Sequence, residues 1–328
     1  MLIDSFQRQI TYLRISVTDR CNFRCVYCMP AEGIKWQPHE TIMPYEDIAR
    51  FVRIAVEAGI REVRITGGEP LVRKNIEDLV RLIADIPGIK DLSLTTNGVL
   101  LKRFAKPLAE AGLMRVNVSL DTLRPELYRK ITRGGEVQDV LDGIASAEQN
   151  GLTPIKINTV VMKGVNSEEI RDLANLTVDH PWNVRFIELM PIQNQKPWGD
   201  DFPSPQSMYM PISEVKKNLE SFELESFPHP VGEGPAEDFR MPGSQGSIGF
   251  ISPLSQAFCK NCNRLRLTAD GNLRPCLLSD LEVPVWQTLK EGGDVLGQIQ
   301  KAVHSKPENH ELDGKSFPSI RCMMQIGG

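Results

Sequence analysis

Residues 12–28 read Tyr-Leu-Arg-Ile-Ser-Val-Thr-Asp-Arg-Cys-Asn-Phe-Arg-Cys-Val-Tyr-Cys. The first six alternate and are rich in β-branched and leucine side chains, the pattern of a short strand. The rest is a loop with Cys21, Cys25 and Cys28 at C-x3-C-x2-C spacing, and Tyr27 between the last two. Three thiolates so spaced can hold three irons of a cubane 4Fe–4S cluster and leave the fourth iron open for chemistry. A zinc knuckle or a thiol–disulfide pair is the alternative for Cys25 and Cys28. Cys21 disfavours both, being odd for a disulfide and one ligand short of a closed zinc site.

Working outward, the strand pattern recurs at 62–66, 91–96, 115–120, 155–161 and 184–189. These runs have the continuous apolar character of strands buried on both faces. Helical periodicity lies between them. One helix opens at Pro44 and ends at Gly59. The next starts after Asn75, a good N-cap, and others cover 101–111, 137–149 and 167–178. Serial βα units predict a parallel sheet with right-handed crossovers, open or barrel-like. Residues 191–245 turn to Pro, Gly, Ser and acidic side chains. Gly232 and Gly234 there follow no clear strand and read as loop, not as a dinucleotide fingerprint. Order returns at 247–252, and Asp270-Gly271 marks a hairpin between 265–268 and 273–278. Short helices are expected near 285–289 and 295–303.

The chain has 328 residues and a formal charge of −4, which argues against broad nucleic-acid or polybasic membrane binding. No apolar run reaches spanning length, and the first residues carry no secretory or transit pattern. Seven cysteines, mostly grouped, suit metal ligation in a reducing compartment, so a cytoplasmic protein is expected.

Ligands of βα folds sit at the carboxyl ends of the strands. There the chain places Gly67-Gly68-Glu69-Pro70, Thr95-Thr96-Asn97-Gly98, Ser119 with Asp121, and Glu188 with Met190. Glu69 can accept a hydrogen bond from an ammonium. Asp121 can instead cap a helix, and Met190 can simply pack. Lys156 and Asn158 share one strand face, pointing either into the barrel or to solvent. A second triad, Cys259, Cys262 and Cys276, brackets Arg264-Leu265-Arg266. Arg264 and Arg266 share a face that is either a solvated edge or a fork for phosphate. With Arg14 and Arg64 they suggest an anionic substrate, such as a nucleoside triphosphate.

The cysteine string and the Gly-Gly-Glu-Pro turn resemble those of the radical S-adenosylmethionine (SAM) superfamily. Taken end to end, RITGGEPLVR, LTTNG, NVSLDTL, KINTVVMKGVN, RFIELM, FCKNCNRLRLTADGNLRPCL and the terminal Gly327-Gly328 are similar to the molybdenum cofactor biosynthesis protein A family, the GTP 3′,8-cyclases. The resemblance implies a partial (β/α)6 TIM-like barrel over 1–192. It implies a C-terminal region, 193–328, with a second iron–sulfur cluster. Cys21, Cys25 and Cys28 would hold the SAM cluster, and Tyr27, Gly68, Ser119 and Met190 would contact SAM. Cys259, Cys262 and Cys276 would hold the second 4Fe–4S cluster, facing guanine. Arg14, Arg64, Thr95, Lys156, Arg264, Leu265 and Arg266 would bind GTP. Gly327 and Gly328 would insert into the active site with an activating role. The implied reaction is abstraction of the ribose 3′ hydrogen by a 5′-deoxyadenosyl radical, then closure onto guanine C8. Implied partners are a reductant such as flavodoxin or ferredoxin, a downstream cyclic pyranopterin monophosphate synthase and a second copy in a homodimer. The chain departs from the family over 193–244 and in the tail before Gly327, where Cys322 reads as a spectator thiol. A radical SAM peptide-maturing enzyme and a zinc-stabilised binding module are the competing readings.

Overall fold

The computed structural model describes residues 1–190, 198–199, 201–232, 234–310 and 321–327. In chain order the elements are β1 (Tyr12–Ser16), α1 (Tyr45–Ala58), β2 (Glu62–Thr66), α2 (Ile76–Ala84), β3 (Asp91–Thr96), α3 (Leu101–Glu110), β4 (Arg115–Ser119), α4 (Pro125–Thr132), α5 (Val137–Gln149), β5 (Lys156–Val161), α6 (Ile170–Asp179) and β6 (Asn183–Glu188). The second half adds α7 (Ile212–Asn218), β7 (Glu225–Ser226), β8 (Glu237–Arg240), β9 (Ser247–Ile251), β10 (Arg264–Leu267), β11 (Leu273–Arg274), α8 (Val285–Lys290) and α9 (Val295–His304).

The strands form one 11-stranded sheet in the order β11-β10-β1-β2-β3-β4-β5-β6-β9-β8-β7. β1 to β6 are mutually parallel, as the serial βα pattern predicts. β10 joins the β1 edge and β9 the β6 edge, both parallel to their neighbours. The C-terminal half therefore lengthens the open barrel at both edges. No sequence period announces such pairings, because each depends on where a distant strand lands.

Strand residues such as Leu13, Ile15, Val63, Ile65, Leu92 and Leu94 meet the helices in one core. α1 offers Ile48, Phe51, Val52 and Ala55 to that core and stops at Gly59, whose φ of 132° suits a residue with no Cβ. Asn75 precedes α2 but lies in the left-handed region with φ 55° and makes no side-chain cap bond, so its reading as an N-cap is corrected. The 167–178 helix begins as a 3₁₀ turn and becomes α-helical at Ile170. The 191–245 stretch is not loop throughout, since α7, β7 and β8 lie within it. Among the described residues, no helix is long and apolar enough to cross a membrane.

Candidate functional site

A cavity of about 330 Å³ runs through the open barrel, from the carboxyl ends of the parallel strands to the amino-end side where β10 begins. Both cysteine triads line it, as do Gly68, Thr95, Ser119 and Met190.

The first triad sits on the loop after β1. The Gly68 N–H donates to the Thr18 carbonyl (2.7 Å) and the Glu69 N–H to that of Arg20 (2.8 Å). A Cβ on Gly68 would lie 2.3 Å from the Arg20 oxygen, so this contact needs glycine. Glu69 accepts from the Leu71 N–H (3.0 Å), the Thr96 hydroxyl (2.8 Å) and the Asn97 N–H (2.7 Å). Its carboxyl thus joins the β2 turn to the end of β3, and burial pushes its pKa up to about 7. Tyr27 donates to Asp121 at 2.6 Å, and Asp121 also accepts from the Val160 N–H at 2.8 Å. Asp121 is therefore no helix cap; α4 begins at Pro125. Its carboxylate ties the cysteine loop to the ends of β4 and β5.

All seven cysteines are free thiols. Burial raises Cys21 to about 11 and pushes Cys25 and Cys28 well above the ordinary thiol range, with neighbouring thiols adding to the rise. Metal binding there must displace protons, as cysteine ligation does. Among the described residues, no three His, Cys, Asp or Glu side chains converge on a single-ion position. Thiols around a cubane each hold a different iron and need not converge on one point.

The second triad lies across the cavity. Cys259 and Cys262 share the turn before β10, and Cys276 follows β11. Burial opposes ionisation of Cys262, but the Arg264 and Lys306 cations outweigh it and bring its pKa down to about 6. The Lys306 ammonium is 3% exposed and donates to the Arg264 and Pro275 carbonyls.

Between the triads the barrel interior is cationic. Register aligns Arg64, Arg14 and Arg266 on adjacent strands. Burial and mutual repulsion lower Arg14, and they lower Arg266 to about 10. Arg185, on the same inward face, is brought down to about 9 by burial and by Arg64 and Arg115. Arg115 is neutralised by Asp91 through bonds of 2.7 and 2.5 Å. The Tyr12 hydroxyl, Thr95 Oγ1 and Asn158 Oδ1 are buried with no hydrogen-bond partner among the described residues. Buried polar atoms are normally satisfied, so these orphans beside a row of buried arginines fit a polar, anionic occupant.

The tail enters this interior. The Arg266 guanidinium donates to the Gly327 carbonyl at 2.7 Å. Gly327 packs so closely that a Cβ would stand 3.0 Å from Thr66 Cγ2 and 3.3 Å from Ser16 Cβ. Arg321 anchors the tail through Asp270 (2.8 Å) and Glu282 (2.6 Å). Gly328 lies outside the described residues.

Most residues singled out in the sequence thus line one cavity; Gly327 reaches its wall through Arg266, and Leu265 and Lys156 do not line it. Leu265 faces the hydrophobic core, because strand alternation that turns Arg264 and Arg266 to the cavity turns Leu265 away. Lys156 is 1% exposed, which disposes of the solvent-facing alternative. It sits behind the cavity wall, donating to the Val231 carbonyl at 2.9 Å. Arg185, Lys306 and Arg321 went unremarked in the sequence. Arg185 had a signal, since it alternates with Ile187 on a strand already assigned. Lys306 and Arg321 had none, being set by tertiary contacts.

An open parallel β/α barrel with three thiols after its first strand and a Gly-Gly-Glu-Pro turn after its second defines a radical SAM protein. The family model of the radical SAM superfamily matches residues 15–177, and that of Molybdenum Cofactor Synthesis C matches residues 182–312. In fold, the chain is similar to Streptococcus suis SuiB bound to S-adenosylmethionine (TM-score 0.60, 17% identity, 89% of this chain and 68% of that one). It is similar likewise to the AdoMet-bound anSMEcpe (TM-score 0.60, 19% identity, 92% and 82%). The chain belongs to the GTP 3′,8-cyclase family. It is 47% identical to the GTP 3′,8-cyclase of Alkaliphilus metalliredigens and 48% identical to that of Moorella thermoacetica, over 99% of both chains in each case.

Proposed function

We propose that the chain is a radical SAM cyclase that converts GTP to 3′,8-cyclo-7,8-dihydro-GTP in molybdenum cofactor biosynthesis. Full-length similarity to GTP 3′,8-cyclases supports it. The observation that carries it is one cavity lined by both thiol triads and by Arg14, Arg64, Arg185, Arg264 and Arg266. Full-length relatives favour this over peptide maturation and over a zinc module.

Cys21, Cys25 and Cys28 hold a 4Fe–4S cluster that binds SAM. When bound, this pair supplies hydrogen-atom abstraction at the ribose 3′ carbon. Gly68 lets the turn approach the cysteine loop, while Tyr27, Ser119 and Met190 complete the wall facing SAM. Arg14, Arg64 and Arg266 take the triphosphate by charge-assisted bonds, and Thr95 offers its unpaired hydroxyl. Arg264 extends that row, and Lys156 adds charge from behind the wall. Cys259, Cys262 and Cys276 hold a second 4Fe–4S cluster beside the base. The substrate is thereby clamped at both ends, with ribose between, as positioning for a reactive step demands. Gly327 closes the pocket through its carbonyl on Arg266, and the activating role extends to Gly328, which lies outside the described residues. Residues 1–192 so supply the SAM side and 193–328 the base side. Electrons come from a flavodoxin or ferredoxin, the product passes to a cyclic pyranopterin monophosphate synthase, and the enzyme works as a homodimer.

The test is anaerobic reconstitution with iron and sulfide, then dithionite, SAM and GTP. Mass spectrometry should find 5′-deoxyadenosine and a GTP isomer of unchanged mass, both abolished by Cys21→Ala. Deoxyadenosine with GTP untouched would refute the substrate. Zinc uptake with neither product would refute the enzyme.

A further inference from the structure

The segment after α9 touches the chain around every member of the second cysteine triad. The Lys306 ammonium donates to the Arg264 carbonyl at 2.9 Å and to the Pro275 carbonyl at 2.7 Å. Arg264 lies two residues after Cys262, and Pro275 immediately precedes Cys276. The negative charge that Cys262 and Cys276 carry as thiolates favours this ammonium. Arg8, paired with Asp4 at 2.5 Å, grips the other side: it donates to the Cys259 carbonyl (2.8 Å), the Pro307 carbonyl (2.6 Å) and the Glu308 carbonyl (2.9 Å).

An ammonium has three donors, and two of them are used here on carbonyls beside the triad. A buried ammonium also needs an opposite charge. The anionic groups acting on Lys306 are Cys262 and Cys276. Neutral side chains could bridge two carbonyls, so the choice of lysine points to the charge of the thiolates.

We propose that Lys306 is the positioning residue of the second cysteine triad. It fixes the two chain segments that carry Cys262 and Cys276, and it balances their thiolates so that the cluster they hold is easier to reduce. Cation and hydrogen-bond donation to cluster sulfur is a recognised lever on reduction potential. The inference rests on the reading that this triad holds a 4Fe–4S cluster.

The test compares the full-length protein with Lys306→Met and Lys306→Gln, all reconstituted anaerobically. Iron content is measured, and each reduced cluster is followed by electron paramagnetic resonance during a redox titration. The signal that responds to added SAM reports the first triad, and the other signal reports the second. Lys306→Met should retain about half the wild-type iron, losing only the SAM-insensitive signal. Lys306→Gln keeps two N–H donors but no charge. Its SAM-insensitive signal should persist and titrate at a more negative potential. Full iron and both signals in Lys306→Met would overturn the proposal. An unshifted potential in Lys306→Gln would do so as well. Equal loss of both signals would also overturn it, because that would mean a fold-wide role. If the wild-type protein shows only the SAM-responsive signal, the second-cluster reading itself fails.

Discussion

Lys156 should take up a proton when GTP binds. Burial, then the Arg185, Arg115 and Arg64 charges, bring its pKa down to about 6. At pH 7.5 a group of that pKa is only about 3% charged. Arg64 and Arg185 are groups a triphosphate would neutralise, which removes the repulsion and lets the ammonium form. The expected uptake is then about one proton per GTP at pH 7.5, fading towards pH 5, where Lys156 is already charged. Holding back that proton costs about 2 kcal/mol at pH 7.5, so GTP affinity should rise about tenfold from pH 7.5 to 6.5 through this group. Titration calorimetry of the reconstituted protein with GTP, in two buffers of different ionisation enthalpy, reads the proton count directly. Lys156→Met removes this contribution, leaving any from the nucleotide and other groups. Identical uptake by the two proteins at pH 7.5 would refute the reasoning. So would an uptake that grows as pH falls below 6.

Three further outcomes are expected. Gly68→Ala forces a methyl to within 2.3 Å of the Arg20 carbonyl oxygen and should cost about 1–3 kcal/mol, seen as a lower melting temperature with weaker iron retention at the Cys21 triad; unchanged melting and iron would contradict the close contact. Arg321→Ala breaks the anchors to Asp270 and Glu282, and product formation should fall at least about tenfold while 5′-deoxyadenosine still appears; undiminished product would mean the tail needs no anchor. Glu69 ionises at about 7 when folded, against 4.5 for the free group, so the folded protein holds an extra proton between those values. Its contribution, at most about 3 kcal/mol, is present at low pH and lost as pH rises through 7. Urea midpoints from pH 4.5 to 8 should therefore show a smaller decline for Glu69→Gln than for the wild type, and parallel curves would refute the shift.

Much of this protein is legible in one dimension. Strand and helix periods are local properties of side chains, so β1 to β6 and α1, α2, α3 and α5 fall within a residue or two of their sequence positions, whereas α4 has no counterpart in the sequence reading and α6 turns α-helical three residues late. The Cys21 triad and the Gly-Gly-Glu-Pro turn are contiguous motifs, and their spacing already specifies a cluster loop and a close backbone approach. Asp121 shows the limit. A lone aspartate after a strand reads equally as cap or ligand, and only folding brings it within 2.6 Å of Tyr27. Leu265 shows another, since a binding segment read as a string includes the residue that alternation turns into the core.

What the chain alone determined is the βα succession, the two sets of three thiols and the residues that alternate onto an inward face, because each depends on neighbours a few positions away. Tertiary structure decided that β9 and β10 extend opposite edges of one barrel, so that the triads face a shared cavity. It decided too that Arg64, Arg14 and Arg266 form a row, and that Arg321 and Lys306 hold the tail and the second triad. The physical reason is that sheet register and buried charge pairing join residues far apart in sequence. Their free energies depend on distance and solvent exclusion, which have no trace in the order of residues.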